Sequence, residues 1–482
     1  MPIAPTAVAL ERLPRAEYPP VTAAPYDPSE AFPEWPTGRV ASAPNPVFAA
    51  VRAALHNLGL DAARYGTPQW NPIGELIQPG GRVVVKPNWV LHYNQGEGGM
   101  DCMITHPSVL RVVLDYVFLA RPSRVVLGDA PLQGCNFEQM LDHGGLRSVI
   151  RHFQAQGLPL EVQDFRRTVM KDDGRYKTGV SENQHPEHDY VQVDLGTESL
   201  LEPLSANWKA FRVTVYDPRK MWRHHRPGRH QYLLAREVLE ADLVVNVPKL
   251  KVHKKAGMTC CLKNLIGING NKEYLPHHRK GAPDGRVAGD NYEYAHWKLS
   301  LAENLLDAAN AWFRGMPGLY RLLERVAWRL MVKRRSDDPS AQLEGSWYGN
   351  DTIWRTCLDL NRALLHADRA GRLQPEAQRR ELSIVDAVVA GQGEGPLAPE
   401  PLATGAVYAA HNPAIGDVLG AGLLGLDARK IPLLQHAFDA VAYGFSSLCL
   451  QEAQDCVDGL LHSFAPFPPA RAPHGWAGHI EK

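Results

Sequence analysis

The sequence has no CxxC spacing anywhere in its 482 residues, which removes the usual ligand framework of a zinc ribbon or a ferredoxin-type iron–sulfur module. It has no net charge either, because 52 Lys and Arg balance 52 Asp and Glu. Such a chain has no long-range attraction to nucleic acid or to membranes, so any electrostatic function must be local. No run approaches the roughly 20 apolar residues of a spanning helix. The opening MPIAPTAVALERLPRAEYPP lacks a basic segment followed by an apolar stretch, so a cytoplasmic location is expected. The seven cysteines are odd in number and widely spread, which argues against a disulfide framework. No internal repeat is visible.

What is present reads as globular, with 44% hydrophobic and 22% charged residues. The 38 prolines and 41 glycines predict many loops. Residues 1–45 form a proline-rich arm with little periodicity, expected to wrap the domain or to stay irregular. An α/β domain is expected over 46–435, and a C-terminal helix with a proline-rich tail over 436–482. PVFAAVRAALHNLGL has helical period, and GRVVVKPNWV reads as a buried strand ending at Lys86-Pro87-Asn88. ITHPSVLRVVLDYVFLA then gives a helix and SRVVLGDAP a second strand ending at Gly128-Asp129. This βαβ order implies a parallel or mixed central sheet with flanking helices, whose ligands bind beyond the carboxyl ends of the strands. A third strand is expected at ADLVVNVPKL and a fourth within ELSIVDAVVAGQGEGP, ending near Asp386.

Three strand ends carry the functional expectation. Lys86 is placed to hold a phosphate or carboxylate by point charge, with Asn88 beyond a proline that fixes the turn. Thr105 suits an N-cap, Pro107 suits the first turn, and His106 could donate a proton to an anion bound at the helix N-terminus. Asp129 could bind a metal, act as a base or cap a turn. The densest signal is NVPKLKVHKKAGMTCCLKNLIGINGNKEYLPHHRKG, with eleven Lys, Arg and His between Lys249 and Lys280 against the single acid Glu273. So much like charge is costly unless solvated or paired with an anion. Asn246 and Pro248 would deliver Lys249, Lys251 and His253 to the sheet edge of Lys86 and Asp129. Thr259 would start a short helix carrying Lys263 and Asn264, with Gly267 allowing a close backbone approach to a ligand. His277 and His278 follow as ligand-contacting candidates. The alternative for the whole block is a solvated basic face. Adjacent Cys260 and Cys261 are read as buried, with a low-pKa thiol as the competing reading. The basic, aromatic stretch at about 311–335 reads as one or two helices, either packed on their own domain or resting on an anionic membrane surface or a partner.

KPN, THP, GD, the PKLKVH…T…LKN..G block, IVDAVVAGQGEGP and NPAIGDVLGAGLLG occur in order from about 80 to 430, and together they resemble the domain-of-unknown-function 362 family. The resemblance implies an α/β core with a Lys/His site. By position it carries over Lys86, Asn88, Thr105, His106, Asp129, Asn246, Lys249, Lys251, His253, Thr259, Lys263, Asn264, Asp386, Gly393 and Asp417. The stretches at about 165–240 and 270–380 look like insertions that set substrate choice. Some members of the family carry ferredoxin modules, which this chain lacks, and chains of this size look like those of bacterial glycan or secondary-metabolite pathways. The expectation is an enzyme for a small anionic substrate, phosphorylated or carboxylated, with nucleotide- and sugar-linked molecules included, that performs a transfer, ligation or hydrolysis. Lys251, His253, Lys263, Asp129 and Asp386 would be its catalytic residues, and Asp129, Asp386 and Asp417 could hold one divalent cation, magnesium or manganese. The alternatives are a non-catalytic anion-binding accessory protein and a redox protein. No nucleic-acid partner is expected, because the basic block lacks interleaved aromatics.

Overall fold

Valine runs without a polar alternate, such as Val83-Val84-Val85, form strands covered on both faces, because β-branched side chains suit a pleated surface and no position here needs water. The computed structural model describes residues 8–22, 24–35, 40–172, 177–213, 216–286, 288–337, 342–439 and 447–482. Ten strands build the main sheet: β1 (Val8–Arg12), β2 (Arg82–Pro87), β3 (Arg124–Asp129), β4 (Leu160–Asp164), β5 (Leu243–Val247), β6 (Lys249–His253), β7 (Gly257–Thr259), β8 (Arg380–Glu394), β9 (Ala398–Leu402) and β10 (Ala406–Ala410). Its main path runs β1-β10-β8-β5-β2-β3-β4. Strands β8, β5, β2, β3 and β4 are mutually parallel, whereas β10 and β1 join antiparallel.

The parallel set begins at β2, steps outward to β3 and β4, then returns to the other side of β2 with β5 and β8. The boundary between β2 and β5 is therefore a topological switch point, where the connections diverge and leave a crevice beyond the carboxyl ends. In the register between these two strands, Asn246 lies opposite Lys86 and Val247 opposite Pro87.

Alternate residues of each central strand enter different cores. Val83, Val85, Val125, Leu127, Leu243 and Val245 face a core shared with helices α1 (Pro46–Asn57), α2 (Pro107–Leu119) and α3 (Leu146–Gln154). Val84, Val126 and Val244 face the other, which also takes in the short helix α4 (Cys261–Asn264). Helices α5 (Trp297–Trp312) and α6 (Pro317–Asp337) follow as a hairpin, and α7 (Ile353–His366), α8 (Pro413–Leu423) and α9 (Leu450–Leu461) complete the second core. Helix α7 thus packs centrally although it lies inside the stretch read as an insertion.

Two expectations need correction. The strand at ELSIVDAVV does not end near Asp386 but continues as β8 to Glu394, so Asp386 is mid-strand and Gly391 and Gly393 extend the ladder. The N-terminal arm is not irregular throughout: Val8–Arg12 pairs residue by residue with β10. Alternation in VALER is too short a signal to read, and β10 supplies the missing information as a ready edge. Strand β4, with its polar Glu161 and Gln163, escapes a hydrophobic search for the same reason.

Leu10 is 5% exposed in β1, so Leu10→Ala should lower unfolding free energy by about 2–4 kcal/mol in a urea titration. A loss below about 1 kcal/mol would show that β1 adds no packing to the sheet.

Candidate functional site at the topological switch point

Lys86, the last buried side chain of β2 before Pro87, carries its ammonium 2.8 Å from Asp129 Oδ1 at the end of β3. It also donates to the Pro87 carbonyl at 2.7 Å and to Asn264 Oδ1 at 3.3 Å. Asp129 Oδ2 accepts the Trp89 backbone N–H at 2.7 Å. Burial pushes Lys86 down and Asp129 up, each toward its neutral form, and their mutual attraction opposes both shifts. The close backbone approach expected of Gly267 is made to this pair: a Cβ there would stand 1.9 Å from Asp129 Oδ1 and 2.7 Å from Lys86 Nζ. Lys86 and Asp129 are therefore partners of each other.

A chain of amides ties the strand ends together. Lys251 donates to Asn88 Oδ1 and to the Met103 carbonyl. Asn88 donates to Asn264 Oδ1 at 2.8 Å, Asn264 to Asn246 Oδ1 at 2.8 Å, and Asn246 to Ser383 Oγ at 3.1 Å. Thr105 closes the same corner, donating to the Val247 carbonyl at 2.6 Å and accepting the Asn88 N–H at 2.8 Å. Thr105 is thus not the N-cap of α2. That position belongs to His106, whose ring nitrogen accepts the Ser108 N–H at 3.2 Å. Burial holds His106 well below the ordinary histidine value, so the ring is neutral, with Nδ1 accepting and the proton on Nε2. The anion expected at this helix start is internal: the His106 N–H donates to Asp386 Oδ2 at 2.9 Å.

Asp386 is claimed from three sides. Lys249 pairs with it at 2.9 Å, and Tyr18 of the N-terminal arm donates to it at 2.6 Å while stacking on His106 with ring centroids 3.7 Å apart. Nothing in the arm's sequence marks Tyr18, so this contact is invisible before folding. Asp417 does not cap α8, a role taken by Asn412; it faces Cys260, Cys261 and the Leu262 N–H. Asp129, Asp386 and Asp417 thus have separate partners, Lys86, Lys249 and the two thiols. Among the described residues they do not converge on one cation position, and the only close set of three such groups is Cys260, Cys261 and Asp417, with ligand atoms within 4.8 Å. Those cysteines are fully buried, and burial raises both thiols above the ordinary value. The low-pKa thiol reading therefore fails, and Cys260 instead bonds Tyr408 Oη at 2.9 Å.

The remaining basic groups gather around Lys263, which is half-buried on α4. Among the described residues its ammonium has no hydrogen-bond or ion-pair partner. Its charge reaches Lys86, Lys251, His253, Lys255, Lys272 and His277, adding in each case to the burial that disfavours protonation. Lys251 is pushed well down by burial and then by Lys249. Lys255 and Lys272 are lowered to about 8, chiefly by burial. Lys272 donates to the Ala130 carbonyl at 2.8 Å, and Lys255 has only a distant carboxylate, Glu344, at 3.9 Å. Thr259, opposite Lys251 in the β6–β7 ladder, has a buried hydroxyl without a partner among the described residues.

Both flanking histidines are kept neutral by burial and the surrounding lysines. Their tautomers follow from their bonds. His253 Nδ1 accepts the Lys255 N–H at 3.0 Å, so its proton is on Nε2. His277 Nδ1 lies 2.7 Å from the Leu275 carbonyl and must donate, which leaves a lone pair on Nε2. His278 is buried, and among the described residues its Nδ1 has no partner. The basic block is therefore no solvated face. Lys255 and Lys272 belong to the cluster, although nothing in the local pattern marks them beyond their charge.

A doubly wound α/β sheet with a lysine–asparagine network at its switch point defines the class. The chain belongs to the family described as Domain of unknown function (DUF362), whose match covers residues 168–422. That segment holds the basic block and β8, whereas Lys86, Asn88, Thr105, His106 and Asp129 lie upstream of it. Thylakoid-associated protein sll1697 of Synechocystis sp. is similar, 24% identical over 218 residues, which is 45% of this chain and 48% of that protein. The similarity thus spans about half the length of this curated relative. A crystal structure of a Thermotoga maritima protein overlaps 72% of this chain and 53% of its own at 10% identity and TM-score 0.28, too weak a likeness to carry an argument.

Removing one partner of the buried pair, in Asp129→Ala, should cost about 3–5 kcal/mol, while Lys86→Met with Asp129→Leu should restore most of it. Equal losses in the single and double variants, measured by denaturation, would mean the pair is not coupled. The lowered lysines fix the sign of a pH effect. The unfolded chain binds protons at Lys255 and Lys272 up to about 10.5 and the folded chain only to about 8. Stability should therefore rise with pH across that interval, read as the melting temperature at low ionic strength. A flat or falling profile there would contradict their burial among like charges.

Proposed function

We propose that the cluster around Lys263 binds the anionic group of a small phosphorylated or carboxylated molecule, and that the chain is an enzyme acting on it. The observation that carries this reading is Lys263 itself: a half-buried ammonium without a partner among the described residues, surrounded by six further basic groups. Burying uncompensated cations is expensive, and an anion removes the expense. Lys255, Lys263 and Lys272 would hold the anion, with the Thr259 hydroxyl as a further donor.

The histidines supply complementary chemistry. His253 presents an Nε2–H that can donate a proton, and His277 presents an Nε2 lone pair that can accept one. Lys251, shifted toward its neutral amine, suits a nucleophile or base. Transfer, ligation and hydrolysis all use this combination, with the lysines neutralising charge that develops on oxygen. Asp129 and Asp386 serve as partners of Lys86 and Lys249 that fix the strand ends, so they act as positioning residues. The basic stretch at about 311–335 is read as the place of a peripheral contact.

The test is thermal stability against phosphate, nucleotides, sugar phosphates and carboxylates, with and without magnesium, since a ligand of the native state must raise it. The expected outcome is a shift of several degrees from at least one phosphorylated compound, lost in Lys263→Met. Affinity should also fall as pH rises through about 8, where Lys255 and Lys272 lose their protons. No shift from any anion would overturn the reading. Binding without any product would leave an accessory protein in place of an enzyme.

A further inference from the structure

The large apolar side chains left in water are not spread evenly. Nine of the fourteen that are exposed among the described residues fall between Tyr294 and Val332, on or beside the α5–α6 hairpin. A single exposed leucine needs no explanation, but a contiguous group does. The hairpin stands apart in packing as well. Its own small core, which includes Leu299, Ala302, Ala327 and Met331, is separate from the two cores that sandwich the sheet. Asp307 of α5 anchors it to the body through Arg212 at 2.9 Å and Lys280 at 2.6 Å.

The inner side of α6 carries Tyr320, Ala327 and Met331, all buried. Its outer side carries Leu322, Val326 and Val332, exposed by 57%, 38% and 61%. Arg325 and Arg329 stand on that same outer side, three and seven residues beyond Leu322, the spacing that shares a helix face. At the turn between the helices, Trp312 is 69% exposed and Met316 56%. Residues 311–335 contain seven Arg and Lys against one acid, Glu324, in a chain of zero net charge. No helix among the described residues is long and apolar enough to cross a membrane.

From this juxtaposition of an apolar face, an exposed tryptophan turn and a local excess of cations, we propose that the α5–α6 hairpin docks on the surface of an anionic phospholipid bilayer, lying in the plane of the interface. The proposal deepens the peripheral-contact reading of residues 311–335 and is independent of the anion site around Lys263. Tryptophan favours the headgroup level, and apolar side chains of α6 enter the acyl boundary while arginines reach back to lipid phosphates. Charge complementarity favours lipid over an acidic protein, because the cations alternate with apolar groups on one face.

The full chain would be sedimented with vesicles of phosphatidylcholine alone and of phosphatidylcholine mixed with phosphatidylglycerol. The expected result is partition onto the anionic vesicles greater by on the order of tenfold, falling steeply in high salt. Trp312→Ser with Leu322→Ser should lose binding with melting nearly unchanged, since both positions are exposed and the cost is the surface contact of Arg219 on the Trp312 ring. Arg325→Glu with Arg329→Glu should abolish the preference for anionic lipid. Equal partition onto both vesicle types, or variants that bind like the parent chain, would overturn the proposal. So would a dimer in lipid-free solution that the serine variants dissolve, which would assign the face to a second copy of the chain.

Discussion

Lys86, near the carboxyl end of β2, and Lys251, in the middle of β6, are fully buried, and taking an ammonium out of water costs several kcal/mol unless it is paired or hydrogen-bonded. The structure answers the two lysines differently. Lys86 receives a carboxylate, Asp129, and the backbone passes so closely over that pair that only glycine fits at position 267. Lys251 receives only oxygen dipoles, from Asn88 and Met103. Everything else at the crevice follows from satisfying these groups. Asn88, Asn264 and Asn246 each use both ends of the amide, so strands β2 and β5 and helix α4 cannot shift separately. A half-satisfied polar network inside a sheet would be worse than an apolar one, which is why the set acts as a unit.

Beyond this fixed frame lies an excess of positive charge. Lys249 is neutralised by Asp386 and Lys86 by Asp129, which leaves Lys255, Lys263 and Lys272 without a close carboxylate among the described residues. Two neutral histidines of opposite tautomer border the same region. A rigid frame with a surplus of one charge is what a site needs to bind an anion without rearranging. The hairpin of α5 and α6 is held to the body by ion pairs rather than by a shared core, so its surface can differ in chemistry from that of the sheet domain.

Much of the fold was legible because valine runs and helix starts carry their own signal. The strands ending at Lys86, Asp129 and Asn246 could be read as parallel neighbours, and parallel neighbours bring their carboxyl ends together whatever their distance in sequence. That placed Lys86, Asn88, Asn246, Lys251 and Asn264 in one crevice. Pairing was not legible. Asp129 and Asp386 look alike as acids near strand ends, yet each is claimed by a different lysine, and only register decides which. Thr105 and His106 both suit a cap, and the choice depends on the free oxygen of Val247, to which Thr105 turns instead. Tyr18 had no local mark at all, because its role depends on an arm that the edge of β10 captures.

The central claim is that the uncompensated charge around Lys263 is matched by a bound anion, and a heavy-atom anion tests it most directly. Crystals soaked in tungstate, a phosphate mimic, should give an anomalous peak within about 4 Å of Lys263 Nζ, the reach of an ion pair. The peak should disappear in Lys263→Met while the Lys86–Asp129 pair stays in place. Tungstate found only on surface arginines, or an unchanged peak in the variant, would contradict the account.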